Sequence, residues 1–242
     1  GYRRVSMKRI FPLLVFVLGC GDPATQDVLS KSSSKVIVTF KEPSVNEIVL
    51  RTVFTCPTSL DSPEESGLDP DTRLTSKNLV IVWKEKRLLG LYKDGVIQKR
   101  ADSQEPACYR IALGVYSSGI PAAGRKLYRG DRRTPEGWYR ISDKPRSTFP
   151  GAIAIHYPNE SDAWLGRRNG LISNQEYQEI AEAAQKGCMP PENTALGNNI
   201  LIHGFGSARD WTNGCIALDD EDLDDVRELM PRPIRGWLLI RQ

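Results

Sequence analysis

Ile200-Leu201-Ile202-His203-Gly204, followed after a short break by Trp211-Thr212-Asn213-Gly214-Cys215-Ile216-Ala217-Leu218, is the stretch on which the reading of this chain turns. An apolar run of β-formers ends on a histidine and a glycine. A turn-rich loop then leads to a cysteine preceded by glycine and followed by a second apolar run. Only two histidines and five cysteines occur in the chain, so few Cys/His pairings exist. Cysteine attacks as thiolate, and a nearby imidazole can take its proton. Glycine-rich loops at a strand end would hold such a nucleophile in the open. Cys215 is therefore the candidate nucleophile and His203 the candidate base. The other histidine, His156, alternates with isoleucines in Ala152-Ile153-Ala154-Ile155-His156-Tyr157 and reads as a strand residue facing the opposite side. It suits the lining of a cleft better than the role of base.

Working outward, short strand signals recur. Asn78 to Trp83 is an apolar β-forming run. Arg87 to Tyr92 meets Asp94-Gly95, a hairpin turn, and Val96 to Lys99 returns. Tyr109 to Val115, Trp138 to Ile141, Ala152 to Tyr157 and Gly236 to Arg241 continue the series. Ser173-Asn174-Gln175-Glu176 is a capping box opening a helix through Lys186, with Gly187 at its end. Asp219 or Asp220 caps a last helix to Leu229, stopped by Pro231. Many short strands with two or more helices predict a β-rich, mixed α+β fold, a sheet curled into a sandwich or partial barrel.

The N-terminal part reads differently. Lys8 and Arg9 precede the apolar run Ile10 to Leu18, which is too short to span a bilayer. Val17-Leu18-Gly19-Cys20 resembles a bacterial lipobox, which would make Cys20 the lipidated residue after cleavage and Met7 the start. The expected organisation is a signal peptide over 1–19, a lipidated flexible tether over 20–35, a small element and proline- and acid-rich linker over 36–76, and a catalytic domain over 77–242. The expected place is the cell envelope, periplasmic or otherwise outside the cytoplasm, anchored to a membrane through the Cys20 lipid. The chain carries a formal charge of +3, but Arg3, Arg4, Lys8 and Arg9 all fall in residues 1–19, leaving −1 for residues 20–242. Nothing there suggests a nucleic-acid partner. The oligomeric state is not legible.

Cysteine arithmetic leaves alternatives open. With Cys20 lipidated and Cys215 a thiol, one bridge can form among Cys56, Cys108 and Cys188, and Cys56–Cys108 is the expectation. A Cys188–Cys215 disulfide would instead abolish the nucleophile. No Cys-x-x-Cys occurs, and two histidines make a zinc site unattractive; no metal or cofactor is implied. Gly114, Gly119 and Gly124 fit neither dinucleotide nor Walker spacing.

Gly130-Asp131-Arg132-Arg133-Thr134-Pro135-Glu136-Gly137-Trp138-Tyr139, then Ile202-His203-Gly204, then Gly214-Cys215-Ile216, together resemble the L,D-transpeptidase catalytic (YkuD) domain, over roughly Asn78 to Arg241. The resemblance implies a β-rich fold of that type and a cysteine that attacks an amide of a peptidoglycan stem tetrapeptide. D-alanine leaves, and the acyl group passes to an amine on another stem. Some members hydrolyse instead, or attach and detach a lipoprotein. It further implies that the carbonyl of Gly204 orients the imidazole. Two departures stand out: Thr212-Asn213 replaces the commonest Ser-His before Gly-Cys, and Ala217 stands where an arginine or asparagine is usual. The Asp-Trp-Thr-x-Gly-Cys-Ile-Ala-Leu variant resembles a sub-branch that includes a murein-releasing amidase. Transfer, hydrolysis as an L,D-carboxypeptidase or amidase, and a non-catalytic wall-binding lipoprotein are therefore the readings in play.

The N–H groups of Gly214 and Cys215 are the natural oxyanion donors. Trp211, Thr212, Asn213 and Arg133 are possible substrate contacts, with local turn bonds the competing role for Thr212 and Asn213 and loop anchoring for Trp211. Thr134-Pro135-Glu136-Gly137 reads as a structural turn. Arg125, Lys126, Arg129, Arg132 and Arg133 form either a steering rim for stem-peptide carboxylates or a solvated loop.

Overall fold

The computed structural model describes residues 55–242. The signal peptide, the lipobox, the tether and residues 36–54 of the element expected over 36–76 lie outside the described residues. Nine strands form one mixed sheet in the order β3-β2-β1-β9-β5-β6-β7-β8, with β4 added on β2. They are β1 (Leu79–Trp83), β2 (Leu88–Lys93), β3 (Val96–Ile97), β4 (Cys108–Arg110), β5 (Gly137–Asp143), β6 (Ile153–Ile155), β7 (Leu201–His203), β8 (Ile216–Ala217) and β9 (Arg235–Arg241). The β1–β9 and β7–β8 pairs are parallel and the others antiparallel. The hairpin turn is where the sequence puts it: Asp94 and Gly95 both take positive φ.

The sheet curls into a half-barrel, as expected of this fold class. Tyr109 to Val115 reads as one strand, yet only Cys108–Arg110 pair with β2. The chain then crosses to the far end of the sheet, where Ala112 bridges Ala217 and Gly114 bridges Thr212. The reason is local: Asp210 takes the Leu113 N–H at 2.9 Å, pulling the segment off β2.

Period-two alternation sorts the two faces. Val80, Val82, Tyr139, Ile141, Ile153, Ile155, Ile202, Ile216, Leu238 and Ile240 point into one buried core. Leu223 and Val226 of helix α3 (Asp220–Leu229) cover it. The opposite face carries Trp138, Arg140, Ala154, Leu201, His203 and Cys215, by the same alternation.

Residues 56–76 have linker composition but are packed on the sheet. Cys56, Leu60, Leu68 and Leu74 are buried against Leu79, Ile81 and Tyr92. Leu60 N–H donates to Gly95 O at 2.8 Å, and Ile97 N–H donates to Thr58 O at 3.0 Å. Four apolar residues spaced among prolines and acids suffice for this strap, and a disulfide between Cys56 and Cys108 closes it. Cys188 and Cys215 are free.

Helix α2 (Asn174–Lys186) starts at a complete Ser173/Glu176 capping box and ends at Gly187 in the left-handed conformation. Before it lies α1 (Glu160–Arg168), absent from the sequence reading. Its residues are mostly polar, and its one signal is the Asn159/Asp162 capping box. Asp162 is 4% exposed and also accepts from Tyr139 Oη at 2.8 Å and Arg125 at 2.7 Å. Burial raises its carboxyl above the ordinary range, with the Arg125 charge opposing.

Replacing both Cys56 and Cys108 by serine is expected to cost about 2–4 kcal/mol, because the bridge closes a long loop of the unfolded chain. Urea unfolding followed by tryptophan fluorescence would read this as a lowered midpoint.

Candidate active site

His203 ends β7 and Cys215 immediately precedes β8. The register Ile202↔Ile216 and His203↔Ala217 sets Cys215 level with Leu201. The histidine and cysteine thus share a sheet face, one strand apart (about 4.8 Å) and two residues apart along it (about 6.6 Å).

Each lies in a loop held from behind. On the cysteine side, Val115 N–H donates to Thr212 O at 3.1 Å, and Ala112 and Ala217 exchange bonds of 2.8 and 2.9 Å. Gly214 has φ 119°, and a Cβ there would sit 2.7 Å from Arg133 O. A Cβ on Gly114 would collide with Arg132 O. The 131–134 motif therefore acts mainly as the backing against which the cysteine loop is pressed. On the histidine side, Asp220 Oδ1 accepts from Phe205 N–H at 2.8 Å and fills the space a side chain on Gly204 would need. Asp219, expected to cap α3, makes no side-chain cap bond; its carboxylate takes Ser207 N–H at 2.9 Å and Ser207 Oγ–H at 3.0 Å.

His203 is 1% exposed. Phe149 stacks on its ring at 4.0 Å, and Trp211 meets it edge-on at 5.5 Å. The distance from Nδ1 to Gly204 O is 2.7 Å. A carbonyl only accepts, so Nδ1 carries the proton and Nε2 is left with a lone pair. Burial holds the His203 pKa below its ordinary value, with the Gly204 bond opposing.

Cys215 is half-buried beside Phe149, Met189 and Leu201. Its Sγ accepts from Leu201 N–H at 3.4 Å and lies 3.8 Å from Asn199 O. Among the described residues these are its hydrogen bonds, and neither is to His203. Burial pushes the Cys215 thiol above its ordinary 9.0, while the Leu201 bond and the Lys126 charge pull it back. The resting pair is thus a thiol and a neutral imidazole.

The remaining sequence candidates divide. Thr212 is 3% exposed and is used up in the turn: its hydroxyl takes Gly214 N–H at 3.2 Å and donates to Cys215 O at 2.8 Å. Of the two roles open to Thr212, turn bonding is the one these contacts show, and the Gly214 N–H is bonded within the same turn. The Cys215 N–H is the loop donor this turn does not use. Trp211 donates from Nε1 to Gly206 O at 3.0 Å, tying the two loops together while remaining 40% exposed. Asn213 is exposed and lines a cavity of about 360 Å³ with Lys126, Arg129, Arg132 and Ile200. Arg133 bonds Tyr116 Oη at 3.2 Å.

Most of the basic cluster is committed to the fold. Lys126 pairs with Asp131 at 2.7 Å, both nearly buried, and Arg125 pairs with Asp162. Arg129 bonds the carbonyls of Glu192 and Thr194. Phe149 was not a sequence candidate; nothing in a Ser-Thr-Phe-Pro loop signals a partner 54 positions away, from 149 to 203.

Residues 77–234 match the family described as YkuD, the L,D-transpeptidase catalytic domain. No curated protein matches the chain significantly. Among solved structures, an L,D-transpeptidase from Mycobacterium tuberculosis is 12% identical, with 69% of this chain and 58% of that one covered and a TM-score of 0.37. One from Xylanimonas cellulosilytica is 15% identical, with 74% and 67% covered and a TM-score of 0.35. Bd1075 of Bdellovibrio bacteriovorus is 18% identical, with 76% and 52% covered and a TM-score of 0.37. The chain thus spans less than two thirds of the Mycobacterium and Bdellovibrio chains.

Gly214→Ala is expected to lower stability by about 1–3 kcal/mol, combining left-handed strain with the Arg133 carbonyl contact. Chemical denaturation of the two proteins measures it. Alkylation of Cys215 by iodoacetamide is expected to keep climbing through pH 9.0, since the thiol titrates above that value. A plateau near neutrality would reveal a preformed thiolate and contradict the neutral pair.

Proposed function

The chain belongs to the L,D-transpeptidase catalytic-domain family, and on that footing we propose that it is a cysteine acyltransferase acting on peptidoglycan stem peptides. In this reading Cys215 attacks the carbonyl after the L-centred residue of a stem tetrapeptide. His203 Nε2 takes the thiol proton as the C–S bond forms, and the Cys215 N–H donates to the developing oxyanion. The tetrahedral adduct collapses to a thioester as His203 returns the proton to the departing D-alanine amine. An amine of a second stem then attacks the thioester, loses its proton to His203, and leaves as the crosslinked product while the thiol is restored.

One observation carries the proposal: the Gly204 carbonyl fixes the proton on Nδ1, so the buried imidazole keeps a basic Nε2. A histidine in the other tautomer could not accept the thiol proton. The free state of Cys215, with Cys56 and Cys108 bridged to each other, agrees with it. A neutral thiol and imidazole suit an amide, where proton transfer must accompany both attack and departure. The N-terminal motif ending at Cys20 supports an envelope location with a lipid anchor.

Incubating the enzyme with purified muropeptides and reading intact masses tests the proposal. Crosslinked dimers are expected. Trimmed stems alone would mark water as the acceptor, and unchanged masses would leave a wall-binding protein. Cys215→Ala is expected to abolish turnover, and His203→Ala to lower kcat/KM by about 10²–10⁴. The wild-type rate is expected to fall only below pH 6.5, the ordinary histidine value, because burial depresses that of His203 and it stays basic down to its own lower pKa.

A further inference from the structure

A cavity of about 670 Å³ lies on the sheet face that carries Cys215 and His203. Its floor is β5, β9 and His156, which follows β6; α1 and α2 wall one side, and Arg73 of the strap closes the other. Arg140, His156, Trp164 and Trp237 are among its lining. None of them takes part in the chemistry described above.

Two features of the lining lack partners. Arg140 stacks on Trp237 at 3.6 Å but forms no ion pair among the described residues. The other arginines are neutralised: Arg73 by Asp71 and Arg125 by Asp162. Burial and the neighbouring Arg73 charge hold Arg140 below its ordinary pKa, as expected of a cation without an anion. His156 bonds Ser142 Oγ through Nε2 at 3.0 Å. Its Nδ1 is shut off from water and has no hydrogen-bond partner, although the Cys188 backbone lies near enough to favour its protonation. Of the lining acids, Glu136 is tied to Lys84, and Glu160, at the α1 rim, has no ion pair among the described residues.

The register connects this cleft to the nucleophile. His156 N–H donates to Arg140 O at 2.9 Å, so the two residues face each other across β5 and β6. Continuing the β6–β7 pairing of Ile153↔Ile202 and Ala154↔Leu201 puts His156 opposite Asn199. The Asn199 carbonyl is 3.8 Å from Cys215 Sγ. Cys215 is level with Leu201, so Arg140 stands three strand spacings across and two residues along from the cysteine, ~16 Å. An extended peptide needs four or five residues to cover that span at about 3.4 Å per residue, or fewer with the reach of the side chains at its ends.

We propose that this cleft is the donor-peptide subsite and that Arg140 is the specificity-determining residue that takes a substrate carboxylate, upstream of the amide attacked at Cys215. The inference rests on the reading of Cys215 as nucleophile. The ligand class is a short acidic peptide lying across the strands, with an ammonium group accommodated near Glu160. Trp237 behind the guanidinium presents it flat, the orientation in which it can hold a carboxylate by two parallel bonds. His156 contributes a neutral polar wall.

The test uses the full chain with Cys215→Ala, so that binding is read without turnover. Calorimetry compares a synthetic stem tetrapeptide with the same peptide carrying amidated carboxylates. Arg140→Gln is expected to weaken binding of the free-acid peptide by about tenfold or more and to change the amidated one by less than about twofold. Arg140→Lys should recover part of the loss. In the active enzyme, Arg140→Gln should raise KM while leaving the iodoacetamide alkylation rate of Cys215 unchanged. Equal affinity for the two peptides in the parent, or equal loss of both on substitution, would overturn the subsite and leave the enzyme reading standing. Failure of the parent to bind either peptide would sink both.

Discussion

The backbone ladder between residues 112–115 and 211–217 is the constraint on which this structure depends. It closes the half-barrel by joining a segment that begins on β2 to the far edge of the sheet. It also sets the position of the cysteine. Asp210 reinforces the ladder from outside, taking the Leu113 N–H and pairing with Arg87 at 2.6 Å. Inside, Gly114 and Gly214 let two loop backbones and the 131–134 turn approach more closely than any side chain would permit. Fold closure and the placement of Cys215 are thus one event, and damage to either would be felt in the other.

The electrostatics of the site follow from dryness. The histidine is enclosed by Phe149 and Trp211 and the cysteine by the Phe149–Met189 cluster. Desolvation penalises imidazolium and thiolate alike, lowering one pKa and raising the other. An ion pair would need more compensation than the Leu201 N–H and the shared Lys126 charge supply. A neutral pair costs less to hold, and in the proposed reaction the proton would move only once a substrate carbonyl is in place. Tautomer control through Gly204 then matters more than a charge on the histidine.

Legibility varied with the range of the interaction. The hairpin at Asp94-Gly95 and helix α2 from Ser173 to Gly187 were plain, because their signals are turn chemistry and capping within a few residues. Helix α1 was missed because its stabilising contacts come from Tyr139 and Arg125, elsewhere in the chain. The strap over 56–76 looked like a linker because composition counts its prolines and acids, while packing uses four buried apolar residues. The acids after Leu218 were legible as a helix start; that Asp219 and Asp220 also pin the loop beyond His203 was not.

By itself the sequence determined the alternation of faces, the turns and caps, and the cysteine and histidine on which the proposed chemistry rests. These are set by side-chain chemistry and short-range geometry, which a linear pattern records. Tertiary structure alone decided that the Thr212 hydroxyl and the Gly214 N–H are bonded within the turn, that Arg125 and Lys126 of the basic cluster are neutralised by buried carboxylates, and that Phe149 covers the imidazole. It also decided that Arg140 lies over Trp237 in a cleft on the same sheet face as the cysteine, with no ion pair among the described residues. Whether a polar group is free or satisfied depends on what the rest of the chain brings to it across tens of residues, and no local pattern carries that information.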